Sequence, residues 1–308
     1  LLTCTGSGDN SNGTITVSNN WVEWGGTNIG LRVDRDATAT CNVTGNYVRY
    51  WYDDGIGISK TTPSSAVWYD CVTNITDNIC TSNVGISTDS DAPHCDAIRL
   101  ASLYTVLADW TINVNRNRIF VGDSRGNLHL QAILASDYKT TSGDSGFFFK
   151  GTAIGNVICT DNSVGITIEN AKTFTALNNT IVTSNIASGV NTETLRLGSG
   201  NTYSTTSGTH RVERNIAEAY GLGGAPTLVD NITLGKGGVI VPYASVFDAG
   251  SGDYPYVDTV AELMTWFARK TGGPADLAGG PPDAGAIGAT AVTFATTIPG
   301  NDGVNIVS

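Results

Sequence analysis

Charge is scarce in this chain: Lys, Arg, Asp and Glu make up 15% of its 308 residues, against about 25% in an ordinary soluble domain. Methionine occurs once. A long helix-rich enzyme uses more Leu, Glu, Lys and Met than this, so such a class is set aside. Basic residues are the scarcer sign, 17 against 28 acidic ones, for a formal net charge of -11. No basic stripe is present to neutralise phosphates, which excludes nucleic acid as a partner and argues against simple attraction to an anionic membrane. No apolar run approaches the roughly 20 residues that a membrane span needs. None of the six cysteines (Cys4, Cys41, Cys71, Cys80, Cys95 and Cys159) forms a CxxC pair, so no zinc site of usual spacing is expected. They fit either disulfides of an exported protein or small buried hydrophobes stacked in successive layers. The chain opens Leu1-Leu2-Thr3 with no initiator Met and no basic leader, as expected of a processed or trimmed piece.

What fills the gap is Asn, Ser, Thr and Gly, with 37 glycines and 40% hydrophobic residues. That mixture suits many short β-branched strands joined by tight turns. One pattern recurs: an alternating strand, an Asn, then another short apolar strand. It runs through 41–48, 74–79 and 110–119, and more weakly through 157–162, 175–181 and 212–216. Asn tolerates the left-handed backbone of a sharp corner, and its amide can bond an Asn one layer away. The landmarks are Asn46, Asn78, Asn117, Asn162, Asn179 and Asn215, at intervals of 32, 39, 45, 17 and 36. A solenoid coil of about 20 to 25 residues with insertions accommodates these gaps. A β-sandwich also uses short strands, but Asn corners in place of regular hairpin signals favour the solenoid. The expected fold is therefore all-β, a right-handed parallel β-helix, with insertion loops at 59–66, 87–93 and 136–146.

The β-helix is expected over residues 1–256, and a capping helix with a tail over 257–308. Within 257–270, Thr259 and Glu262 form a capping box, Leu263, Trp266 and Phe267 an apolar stripe, and Gly272-Gly273 a stop. The plain expectation is that this helix closes the open end of the solenoid.

Several segments resemble a known group. Asp91-Ala92-Pro93-His94-Cys95-Asp96-Ala97-Ile98-Arg99-Leu100 is similar to the His-x-Asp-x-Ile/Phe-Gln strand of bacterial and phage right-handed β-helix proteins. Leu128-His129-Leu130-Gln131-Ala132-Ile133, Asn178-Asn179-Thr180-Ile181-Val182, Arg214-Asn215-Ile216-Ala217-Glu218 and Gly280-Pro281-Pro282-Asp283-Ala284-Gly285-Ala286-Ile287-Gly288 resemble later segments of that group, in the same order. Arg99 stands where the group has Gln, and Gly288 where it has an acid. The resemblance implies a pectate-lyase-like β-helix. That superfamily includes secreted polysaccharide lyases and hydrolases, and spikes of tailed phages and gene-transfer particles that bind surface polysaccharide, often as homotrimers. It places the protein outside the cell or on a virion surface.

For chemistry, the residues singled out are Asp89, Asp91, His94 and Asp96, with Asp123 and Gln131 on neighbouring coils. A His beside carboxylates can act as acid or base or bind sugar hydroxyls; the plainer reading is that these groups fix a corner. A bend after Asp96, with Cys95 and Ala97 inward, would bring His94, Asp96 and Arg99 outward. A glycosidase needs two carboxylates about 5 to 9.5 Å apart, and Asp53, Asp54, Asp89, Asp91, Asp96, Asp123 and Asp144 supply candidates. Asp53-Asp54-Gly55-Ile56-Gly57-Ile58 superficially resembles a polygalacturonase strand, but that family's His-Gly pair and Arg-Ile-Lys triplet are missing downstream, so its roles are not carried over. A lyase would use a base and often Ca²⁺; otherwise no cofactor is expected. Arg116, Arg118 and Arg125 form either a local basic patch or solvated arginines between strands. Trp21, Trp24, Tyr47, Tyr50, Trp51, Tyr52, Trp68 and Tyr69 crowd the first quarter, and exposed rings stack on sugars. Trp21, Trp24, Trp51 and Trp68, with Arg99, Asp123, Gln131 and Tyr138, are the expected sugar contacts. Three functions follow: a polysaccharide-binding spike, a depolymerase working from 89–96, or a purely structural trimer.

Overall fold

The computed structural model describes residues 13–33, 39–60, 71–82, 84, 95–102, 109–121, 130–137, 148–160, 165–169, 171–183, 194–198, 209–223, 226–234, 243–247, 257–270 and 272–277. Its strands form three sheets, every pairing parallel, through which the chain cycles in turn. The first sheet takes Gly13–Ser18, Ala39–Thr44, Cys71–Thr76, Asp109–Asn115, Phe148–Ile154, Ala171–Leu177, Thr209–Glu213 and Thr227–Val229. The second takes Trp21–Gly25, Tyr47–Trp51, Ile79–Thr81, Arg118–Phe120, Val157–Thr160, Thr180–Thr183, Ile216–Ala217 and Ile232–Thr233. The third takes Ile29–Val33, Asp54–Lys60, Cys95–Ser102, Leu130–Asp137, Ile166–Ile168, Leu195–Leu197 and Tyr220–Leu222. The chain is a parallel β-helix.

Alternation sorts side chains between the inside and the outside of the tube. Ile15, Cys41, Thr73, Ile112, Gly151, Phe174 and His210 stand in register on one inward row of the first sheet, and Val17, Val43, Ile75, Val114, Ala153, Ala176 and Val212 on the other. Trp110 adds a ring against Phe149, centroids 5.6 Å apart, and satisfies its indole N–H with Thr73 Oγ1 at 3.0 Å. The outward row between them is Thr and Asn from Thr16 to Thr175 and ends in Arg211, bonded sideways where Asn74 donates to Asn42, Asn113 to Asn74 and Thr152 to Asn113, each at 2.9 Å.

The turn from first to second sheet is short and repeats in coil after coil. Asn20, Asn46, Asn78, Asn117, Asn156, Asn179, Asn215 and Asn231 stack there. In each step the backbone N–H and side-chain amide of one Asn both donate to the carboxamide oxygen of the next, as from Asn117 to Asn156 at 3.0 and 3.1 Å. Steps along the ladder span 26, 32, 39, 39, 23, 36 and 16 residues. The landmark expected at Asn162 is thus Asn156; Asn162 lies outside the described residues. The left-handed residue is also not the ladder Asn but the one before it: Asn19, Gly45, Asp77, Arg116, Gly155, Asn178, Arg214 and Asp230 all have φ between 49 and 67°. Placing the ladder Asn just past the turn leaves its side chain free to point down the stack.

Cys41, Cys71, Cys80, Cys95 and Cys159 are all buried, as the small-hydrophobe alternative has them; Cys4 lies outside the described residues. The expected loop at 59–66 starts later, because Ser59 and Lys60 belong to a strand, and Ser136 and Asp137 likewise.

The predicted helix runs Val260–Trp266, and its capping box is formed: Glu262 N–H donates to Thr259 Oγ1 at 3.2 Å, and Thr259 N–H to the Glu262 carboxylate at 3.2 Å. Leu263 and Phe267 are fully buried. They join Val246, Phe247 and Val257 in an apolar cluster that does more than close the last coil. The same cluster includes Ile79, Phe120, Val157, Cys159, Val182, Ile216 and Ile232. Their strand neighbours Cys80, Ile119, Ile158, Ile181 and Ala217 lie in the tube core, so these seven face outward from the second sheet. That outer face is therefore buried and largely apolar, with Arg118, Thr81 and Thr180 in register among these residues. The cap itself is exposed, so Thr259→Ala is expected to melt the helix by about 1 kcal/mol, read as a local loss of hydrogen-exchange protection over 260–267 with the strands unchanged.

Candidate functional site

The outer face of the second sheet changes character in the first two coils. Val22 and Val48 point inward, with Val48 wholly buried, so alternation turns Trp21, Tyr47, Glu23 and Arg49 outward. Register sets Trp21 beside Tyr47 and Glu23 beside Arg49. The Trp21 and Tyr47 rings lie 4.4 Å apart. Next, Trp24 (φ 59°), Tyr50 (φ 58°) and Ser82 (φ 61°) stack in the left-handed region, which bulky side chains reach only at a cost of about 1–2 kcal/mol each. The turn throws Trp24 and Tyr50 outward as a second stacked pair, 4.4 Å apart. Arg49 ties both pairs together. Its guanidinium sits 4.2 Å from the Tyr50 ring centre and 5.7 Å from that of Trp21, while Nε lies 2.7 Å from Glu23 Oε1. Glu23 also accepts from the Trp21 indole. The rings are held rigidly yet open to solvent: Trp21 is 39% exposed, Trp24 63% and Tyr52 54%.

Trp51 departs from expectation. It is fully buried: with Val48 inward and Arg49 outward, strict alternation would turn it out, but the left-handed turn at Tyr50 (φ 58°) shifts the phase by one residue and sends Trp51 into the tube core. Trp68 lies outside the described residues.

A second cluster sits where the third sheet begins. Asp54, Asp96 and Gln131 are in register on three successive coils. Ala97 and Ile98 both enter the core, so the strand bends there. On the coil before, Gly57 alternates with inward Ile56 and Ile58 and therefore faces out; a Cβ on it would stand 3.0 Å from Asp54 Oδ2. Arg99 is in register with Gly57. The missing side chain leaves room for the Asp54 carboxylate and Arg99 together on the outer side, as the expected bend required. Arg99 Nη1 is 3.7 Å from Asp54 Oδ1, and its Nε 3.8 Å from Asp96 Oδ2. Asp96 is wholly buried, Asp54 8% exposed and Gln131 9%, and neither Asp96 oxygen has a hydrogen-bond partner. Burial pushes the Asp54 carboxyl up to about 7, against the pull of Arg99 and helped by Asp53. Burial, then the Asp54 charge, holds Asp96 well above the carboxylate range. The pair can therefore hold a proton near neutral pH.

Asp89, Asp91, His94, Asp123 and Tyr138 lie outside the described residues, so only Asp96, Arg99 and Gln131 of that constellation are brought together. Asp54, one of several carboxylates offered by the sequence, is the partner Asp96 acquires. Arg116 is bonded to Asp77 at 2.9 and 2.7 Å and Arg118 is buried, so these two do not form an open basic patch, and of the two only Arg116 is partly solvated; Arg125 lies outside the described residues. Among the described residues no three His, Cys, Asp or Glu side chains group as a metal site. No helix of the described residues is long and apolar enough to cross a membrane. Compared with known proteins, the chain matches no family model, no curated protein and no solved structure.

Proposed function

We propose that the protein binds polysaccharide through the aromatic platform of its first two coils, as a surface spike or adhesin would, outside the cell or on a virion. The observation that carries this reading is the exposure of Trp21 and Trp24 while each is locked against a tyrosine. Exposing so much ring surface and holding bulky residues at positive φ is unfavourable for folding alone. Rigid, half-open rings present flat apolar faces to sugar C–H groups, with Glu23 and Arg49 between them to meet hydroxyls. The pectate-lyase-like resemblance agrees with this reading at the level of the superfamily.

A depolymerase is the second reading. Two in-register carboxylates, one titrating near 7, suit a general acid. Against it, Asp96 is wholly buried with no route to substrate among the described residues.

The test is affinity electrophoresis in gels containing neutral glucans and galactans or acidic uronans. Trp21→Ala with Trp24→Ala is expected to lower retention at least about tenfold, as loss of stacking at about 1 kcal/mol or more per ring implies, with an unchanged melting temperature. Equal retention of parent and double variant would remove the platform from the function.

A further inference from the structure

His210 is packed as though it were a hydrophobe. It lies on the inward row of the first sheet in register with Phe174, is 1% exposed, and neither ring nitrogen has a hydrogen-bond partner. Gly198, just past the third-sheet strand Leu195–Leu197, closes over it: a Cβ there would stand 3.2 Å from Nε2. The other core residues of these strands, Ala171, Leu197 and Val212, are apolar and fully buried. The charged groups on the surrounding elements do not serve the ring. On its own strand Arg211 is exposed, and Glu213 is held by Arg211 and Arg214. Lys172 on the preceding first-sheet strand is exposed, Arg196 on the third-sheet strand adds a further cation, and Thr227–Val229 on the next coil carries no titratable side chain. Desolvation disfavours the imidazolium, so the ring's pKa lies below the ordinary 6.5.

We propose that His210 is an acid-sensitive latch: its protonation opens the coils from Thr209 onward and loosens the C-terminal helix from the second sheet. The connection is short. On the strand after that of His210 comes Ile216, and one coil later Ile232, whose outward side chains belong to the cluster that holds Phe247, Leu263 and Phe267. Unlatching would bare an apolar face that runs on into the aromatic platform. A group with a lowered folded-state pKa stabilises fully above its unfolded value and loses that contribution as pH falls below 6.5 toward the folded pKa. Asp54 and Asp96 act in the opposite direction, so acid tightens the early coils while it loosens the late ones.

Hydrogen-exchange protection factors, which remove the intrinsic pH effect, test this at pH 7.5 and 5.0 on the full chain. Strands Thr209–Glu213 and Thr227–Val229 and helix Val260–Trp266 are expected to lose protection on acidification, up to about tenfold for each pH unit below 6.5. Strand Asp109–Asn115 should not. In His210→Leu, and in His210→Met should leucine fail to fold, the loss should vanish. An equal loss in the non-titrating variant, or none in the parent, overturns the latch.

Discussion

Asp54→Asn is expected to be more stable than the parent at pH 8.5 by about 2–4 kcal/mol, and nearly equal to it at pH 4. The carboxyl of Asp54 titrates at about 7 in the fold against 3.8 in the open chain. Each unit of difference corresponds to about 1.4 kcal/mol, and the burial of the group leaves little solvent screening to reduce it. The sign follows from proton binding. Between the two values the folded state holds a proton that the unfolded chain has released, so this contribution is complete below pH 3.8 and disappears as pH rises through about 7. Asn has the same shape and no charge to desolvate. Asp96→Asn should move stability in the same direction, since its carboxyl is also raised by burial and by Asp54. Denaturant melts at pH 4, 6, 7 and 8.5 measure the effect. A parent whose stability climbs with pH, or an Asn variant weaker at pH 8.5, would mean that the ionised pair is stabilised in solution, with Arg99 a stronger partner than its 3.7 and 3.8 Å contacts suggest.

Asn117→Ala should lower global stability by about 3–5 kcal/mol, the summed effect of several buried polar groups losing their partners. Asn117 stands mid-ladder and is fully buried. Its amide donates to Ile75 O at 2.9 Å and to Asn156 Oδ1 at 3.1 Å, and its own oxygen receives the backbone N–H and amide of Asn78, both at 3.0 Å. Truncation orphans a carbonyl, a backbone N–H and an amide in a fully buried site. The same change at Asn20, on the first coil and part-buried, should matter less. Urea melts of the two variants decide it. A loss under about 1 kcal/mol at Asn117 would show that the ladder decorates the coil without holding it.

The ladder was legible because it repeats: an outward-inward strand followed by Asn has one physical use, and six landmarks sufficed to suggest stacked coils. Asn156 was missed although Gly155-Asn156 repeats the Gly45-Asn46 corner, because the apolar strand after it ends on a second Asn, Asn162, which drew the landmark six residues on. The helix was fully signalled by Thr259 and Glu262, whereas its place was not. Nothing local tells that Val157, Cys159 and Phe120 face outward, since a strand buried on both sides shows no alternation. The bend at Ala97 was readable from small residues, but the partnership of Asp54 with Asp96 depends on how many residues each coil inserts, 42 positions apart in the chain. Trp51 is buried and not a surface residue because the left-handed turn at Tyr50 breaks the strand parity that starts from inward Val48. Trp21 and Trp24 are exposed, although the left-handed turn that swings Trp24 outward leaves no mark in the sequence.

The most direct measurement is incubation of the purified protein with the panel of neutral and acidic polysaccharides, following retention and polymer length together. Retention on at least one polymer, with its length unchanged and with retention lost in the Trp21→Ala, Trp24→Ala double variant, is the expected result. Shortening of a polymer that survives the double variant but disappears with Asp54→Asn or Asp96→Asn would contradict it, and would move the function from the aromatic platform to the acidic corner.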